Sequence, residues 1–354
     1  MATSSAANPA RVDLSVPRYD QATFWGRFRH FLDVTDPLTL LTTQQQLEGA
    51  LTVLRRYENR EQDYPLEELY KAKKIRDAVI HPDTGEKIFA PFRMSSFLPV
   101  NIAIVLGLTV PNPGMGTTLF WQWFNQSYNV ALNHANRNAS NEMSNSQIMK
   151  AYAGAVGLSC SLAVGLNEVV KRATAFTPAV RTAIQNMVPF TAVAAAGVLN
   201  VFMMRGNEMK EGIDVKDAEG NIYGRSQKAG YLGLVKTSIS RVATSFVVLT
   251  IPPMCMTALQ RTSLFTKNPR LKHPVHLGKF LSSFFLSSFL LLHDSLSCLF
   301  VGIISATLWL GLPAAIALFP QTSAVHVSSL EPKYQNLRDR HGNPITTLYY
   351  NKGL

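Results

Sequence analysis

A chain of 354 residues is long enough for one large domain or two ordinary ones. Charged residues make up only 16% of it, against roughly a quarter in an average soluble protein, and nearly all charge-dense sequence lies before Arg93. The net charge of +11 raises nucleic acid as a partner. The basic residues, however, sit in short clusters beside apolar runs (Lys171-Arg172, Arg205, Arg241, Arg261, 267–279) without interleaved aromatics, which argues against nucleic acid and for the flanks of membrane spans.

In chain order, the N-terminus has no apolar signal-peptide core. Residues 1–12 hold a single Arg11, too little for a cleaved mitochondrial presequence, so a mitochondrial address would be internal. Residues 1–96 read as a soluble helical segment: Phe24, Phe28 and Phe31 recur at helical spacing, Asp36-Pro37 is a helix start, and amphipathic helices are expected over 44–59 and 66–80. His81-Pro82-Asp83-Thr84-Gly85-Glu86 has the composition of a turn.

From Phe97 the apolar runs begin, and residues 97–320 read as an all-α transmembrane bundle followed by a C-terminal tail over 321–354. Crossing roughly 30 Å of hydrocarbon takes about 20 apolar residues. The run over 97–110 is short; 152–170 and 187–204 fit; 242–259 fits but contains Pro252-Pro253; 280–319 is twice the length of one span. Ala153, Gly157, Ser161 and Gly165 repeat every fourth residue, as do Ala192 and Ala196. Such small residues allow close helix packing where lipid supplies no hydrophobic drive.

The segment 121–141 carries the clearest chemistry. Asn125, Asn129, Asn133 and Asn136 fall within about 80° of one helix face, and Trp121 extends that stripe by a turn. Asparagine is a poor helix former, so the stripe needs a cause. Amides both donate and accept, and can hold the carboxylate and ammonium of a zwitterion; equally, they can bond neighbouring helices together. Asn101, Asn167 and Asn200 lie in or near three other spans and are expected to face the bundle interior. Glu168, with Lys171 and Arg172 close behind it, reads as a local ion pair or a proton-coupling group. Pro252 and Pro253 remove two backbone donors, which gives either a broken helix framing a solute or a plain kink. Cys160, Cys255 and Cys298 form neither a disulfide framework nor a zinc pattern, and His273 and His276 lack a third ligand. No phosphate-binding glycine loop or nucleophile elbow is present, so no enzyme activity, cofactor or metal site is expected.

These residues together resemble the sideroflexins, multi-pass proteins of the mitochondrial inner membrane. The resemblance runs from Asp13-Leu14-Ser15 to Asn351-Lys352-Gly353-Leu354. It is carried by Val34-Thr35-Asp36-Pro37, the His81–Glu86 turn, Trp121-Gln122-Trp123 with Asn125-Gln126-Ser127, Val188-Pro189-Phe190, Ile251-Pro252-Pro253 and Ala317-Leu318-Phe319-Pro320-Gln321. It implies about five transmembrane helices and transport of serine, or other small neutral amino acids, for one-carbon metabolism. The family's earlier links to tricarboxylate and iron transport are alternatives, as is a non-transporting scaffold. One departure stands out: residues 279–299 intervene where the family pattern passes directly to its last helix, and read either as a sixth span or as a gene-model artefact. With no Arg or Lys read in mid-span, a multiply charged solute is disfavoured.

Overall fold

The computed structural model describes residues 11–14, 16–82, 84–110, 113–136, 144–172, 177–260, 295–338 and 342–352. The N-terminal segment forms where its sequence says it should. Thr23 caps α1 (Phe24–Val34) by accepting from the Gly26 amide at 3.1 Å. Asp36 accepts from the Leu38 amide at 3.0 Å to open a 3-10 turn, Pro37–Leu41. α2 (Gln44–Glu58) starts in a full capping box: Gln46 N–H donates to the Thr43 hydroxyl and Thr43 N–H to the Gln46 side chain. α2 packs on α3 (Leu66–Val79) through Ala50, Leu54, Leu69 and Ala72. Lys74 ties α3 to the end of α1 through Asp33 at 3.0 Å and Asp36 at 2.8 Å.

Six longer helices follow: α4 (Phe97–Leu108), α5 (Met115–Ala135), α6 (Asn145–Arg172), α7 (Pro178–Arg205), α9 (Gln227–Gln260) and α10 (Ser295–Ala317), with a short α8 (Asn207–Glu211) after α7. Each of the six packs on the next, and α10 returns to α4, closing a ring. Among the described residues four helices are long and apolar enough to cross a membrane: Asn145–Arg172, Ala183–Arg205, Gln227–Leu259 and Leu299–Ala317. α4 has 12 residues, a rise of about 18 Å, and α5 has 21, about 31 Å. α5 therefore has the length of a span with a more polar surface, and it returns antiparallel beside α4: Asn136 at its end donates to the Phe92 carbonyl just before α4, at 2.8 Å. Gly107 of α4 makes this approach possible, since a Cβ there would collide with the indole of Trp121.

Three sequence expectations change. The packing face of α6 is Ala151, Ala155, Ser159 and Ala163, all buried; Ala153, Gly157, Ser161 and Gly165, two residues out of phase, face outward. Both stripes are small, and Ser159, the hydroxyl that finds partners on α5, lies on the inner one. α9 does not break at Pro252-Pro253 but stays helical from Gln227 to Gln260. Because it begins fifteen residues before the apolar run, Arg241 lies within the helix rather than flanking a span.

The all-α bundle also carries a small sheet that periodicity did not reveal. β1 (Ile213–Lys216) and β2 (Ile222–Ser226), between α8 and α9, join β3 (Thr322–His326) and β4 (Thr347–Asn351) of the tail in the antiparallel order β2-β1-β4-β3. Val215 pairs with Tyr350, so the α7–α9 connection and the C-terminal tail share one sheet. Buried Arg27 of α1 donates to the carbonyl of Ala317, the last residue of α10, at 3.0 Å. Strands cannot pair through a bilayer. The N-terminal segment, the α7–α9 connection and the tail therefore occupy the same membrane face, and α9 ends and α10 begins at the other. Of the intervening stretch 279–299, residues 279–294 lie outside the described residues and the last five open α10. This topology predicts that, in a cysteine-free background in sealed vesicles, Glu48→Cys, Glu219→Cys and Gln335→Cys react with an impermeant maleimide from one side and Arg172→Cys from the other. Labelling of Glu48→Cys and Gln335→Cys from opposite sides would contradict it.

Candidate functional site

α5 presents two polar edges with different partners. Along one, Gln122, Gln126 and Ser159 are buried together: the Ser159 hydroxyl donates to Gln122 Oε1, and Gln126 Nε2 donates to Ser159 Oγ at 3.5 Å. Trp123 Nε1 donates to the Tyr152 hydroxyl at 2.9 Å, and Ser127 Oγ lies 2.9 Å from the same oxygen. These contacts lock α5 to α6. In the sequence Gln122 and Gln126 enter only as part of the resemblance, although their spacing of four was a signal of a second polar edge.

Along the other edge, the asparagines mostly do not bond to neighbouring helices. Asn129 Nδ2 donates to the Asn125 carbonyl at 2.9 Å and to Asn125 Oδ1 at 3.2 Å, both on its own helix. Asn125 is 4% exposed, and its Nδ2 has no partner among the described residues. Asn133 Oδ1 accepts from Arg241 Nη2 of α9 at 3.4 Å. Asn136 caps the helix end through Leu132 and Phe92. Trp121 leaves this edge and packs into the apolar core with Ile104 and Val105.

Of the remaining candidates, Asn101 is buried and donates to the Phe97 carbonyl one turn back, at 2.8 Å. Asn200 of α7 is buried, and its Oδ1 has no partner among the described residues. Asn167 lies half-buried near the far end of α6, apart from the Asn133–Arg241 contact, beside Glu168, which pairs with Lys171 at 3.0 Å and Arg172 at 3.8 Å. Pro252 is buried and Pro253 half-buried within α9, and the Pro253 carbonyl accepts from Thr257 at 2.9 Å. The family-motif turn is local. His81 N–H donates to the Glu86 carbonyl at 2.8 Å, Gly85 N–H to the His81 carbonyl at 3.0 Å, and Thr84 N–H to His81 Nδ1 at 3.3 Å; Gly85 adopts φ +70°. Pro82 is exposed, and Asp83 lies outside the described residues.

The end of the bundle nearest the sheet is basic. Arg205 donates to Glu208 at 2.7 Å, to the Lys352 carbonyl at 2.8 Å and to Thr237 at 3.3 Å, pinning the C-terminal strand over α7 and α9. Lys352 is 3% exposed, its ammonium set against the Phe319 ring at 5.9 Å. Burial, reinforced by the charges of Arg205, Lys236, Arg27 and Arg241, lowers its pKa from the ordinary lysine value to about 8.

A ring of long apolar helices around buried amides, with folded polar segments gathered at one face, is the architecture of a multi-pass membrane protein. The chain belongs to the sideroflexin family: the family model described as Sideroflexins matches residues 13–354. Among curated relatives it is 48% identical to "Sideroflexin" of Dictyostelium discoideum over 95% of this chain and 96% of that protein. It is 43% identical to "Sideroflexin-5" of Rattus norvegicus over 96% and 92%, and 39% identical to "Sideroflexin FSF1" of Saccharomyces cerevisiae over 98% of each. No solved structure matches the chain.

Two predictions follow from this geometry. Ser159→Ala leaves buried Gln122 and Gln126 without their shared partner and is expected to destabilise the protein by about 1–3 kcal/mol, read as a lower melting temperature in detergent; an unchanged melting temperature would mean the α5–α6 lock is not made. Lys352 loses its proton at about 8 when folded and near 10.5 when unfolded. Between those values the unfolded chain binds more protons, so stability rises with pH. The melting temperature should climb from pH 8 to 10 in the wild type, and Lys352→Met should remove that climb.

Proposed function

We propose that the protein carries a small neutral amino acid, serine first among them, across the mitochondrial inner membrane, and so supplies one-carbon metabolism. The observation that supports this reading is the asparagine edge of α5. Asn125 is buried and Asn129 and Asn133 are half-buried, while the contacts locking α5 to α6 are supplied by Gln122, Gln126, Ser159 and Tyr152 instead. What remains at Asn125 is a buried amide N–H without a partner, and Asn200 on α7 offers a buried carbonyl oxygen in the same condition. An amide donor and an amide acceptor suit the carboxylate and ammonium of a zwitterion.

A second reading gains weight from Arg241. A guanidinium within α9 removes the argument that the bundle has no interior cation, so a carrier of a di- or tricarboxylate is the competing solute class.

Purified protein in liposomes should take up labelled serine above empty vesicles, with unlabelled neutral amino acids competing and citrate not competing. Absence of serine uptake together with citrate uptake would replace the first reading with the second. Asn129→Leu should lower uptake several-fold while leaving protein abundance near wild type; equal losses of both would return the stripe to a structural role.

A further inference from the structure

We propose that Arg241 is the carboxylate anchor of the transported solute, with Asn133 holding its guanidinium in place; this rests on the solute reading above. Arg241 is half-buried on α9, on the helical face that also carries the buried Leu234, Thr237, Val248 and Leu249. Its one described contact is the 3.4 Å hydrogen bond from Nη2 to Asn133 Oδ1. Among the described residues no carboxylate pairs with it, whereas Arg205, one helix away, has Glu208. A guanidinium presents five N–H donors, and withdrawing it from water without an anion is costly. The remaining donors are therefore available to a ligand oxygen pair, which a carboxylate provides in matching geometry.

The surroundings supply the second half of the recognition. α7 approaches Arg241 at Gly197, where a Cβ would sit at ordinary contact distance, 3.9 Å, from the Arg241 Cβ. Asn200, three residues further along the same helix, carries the buried unpartnered Oδ1, an acceptor suited to an ammonium. Asn125, two turns from Asn133 on α5, carries the buried unpartnered Nδ2. The basic end formed by Arg205, Lys236 and Lys352 adds a positive field on the sheet side, which draws anions toward Arg241. The expected ligand class is an α-amino acid, or another small molecule bearing one exposed carboxylate.

The test is equilibrium binding to purified full-length protein of labelled L-serine, 3-hydroxypropionate (which lacks the amine) and ethanolamine (which lacks the carboxylate), in wild type, Arg241→Lys and Asn133→Asp. Wild type should bind serine and 3-hydroxypropionate but not ethanolamine. Arg241→Lys keeps the charge but loses the planar fork, and should weaken both carboxylates at least tenfold at unchanged melting temperature. Asn133→Asp offers Arg241 an internal carboxylate, so it should raise the melting temperature while abolishing carboxylate binding. This variant decides the matter should Arg241→Lys fold poorly. Serine binding that is the same in all three proteins overturns the anchor and leaves the solute reading standing. Binding of 3-hydroxypropionate but not serine, lost in both variants, supports the anchor and overturns serine as solute. Failure of wild type to bind either carboxylate overturns both.

Discussion

Polar groups inside an apolar helix ring must be satisfied by the protein or by what passes through it, because lipid offers no hydrogen bonds. That constraint sorts the interior of this protein. Most of its buried polar side chains have evident partners: Gln122, Gln126 and Ser159 satisfy one another, Asn101 and Asn136 bond to nearby backbone, and Arg205 closes on Glu208 and the Lys352 carbonyl. Within the helices, Asn125 Nδ2, Asn200 Oδ1 and the hydroxyls of Tyr128, Ser238, Ser240 and Thr250 are buried without a partner among the described residues, and Arg241 pairs with no described carboxylate.

The same constraint explains the arrangement outside the ring. Strands need partners, and the short β1–β2 hairpin finds its partner in β4, far along the chain but on the same membrane face. The sheet and the Arg27–Ala317 bond gather the N-terminal segment, the α7–α9 connection and the tail over the basic end of the bundle. α4 and α5 make this possible by going in and coming back as a pair, so that the chain returns to the face it left before α6 begins.

Much of the fold was legible because it is local. Helices α2 and α3 were bounded to within a residue or so by their apolar faces, and the cores of α6, α7 and α9 by runs of hydrophobic residues between charges. What escaped was non-local or ambiguous by period. The sheet depends on Val215 meeting Tyr350, which no pattern within either strand announces. α6 carries two small-residue faces, and only contact with α5 through Ser159 distinguishes them. Arg241 looked like a flank because the apolar run starts at Val242; the helix reaches back to Gln227 because β2 leads straight into it. At the site, the asparagine stripe was visible from spacing alone, but its division between capping at Asn136 and an open edge at Asn125 was not.

The proposed solute path along the asparagine edge of α5 is tested most directly by substituted-cysteine accessibility along that helix. In a cysteine-free background, cysteines at Asn125, Asn129 and Asn133 should react with a small water-soluble methanethiosulfonate and be protected by serine, while cysteines at Leu119 and Phe120 stay unreactive. Unreactive cysteines at all three asparagine positions, with no effect of serine, would show a dry interior and contradict the account.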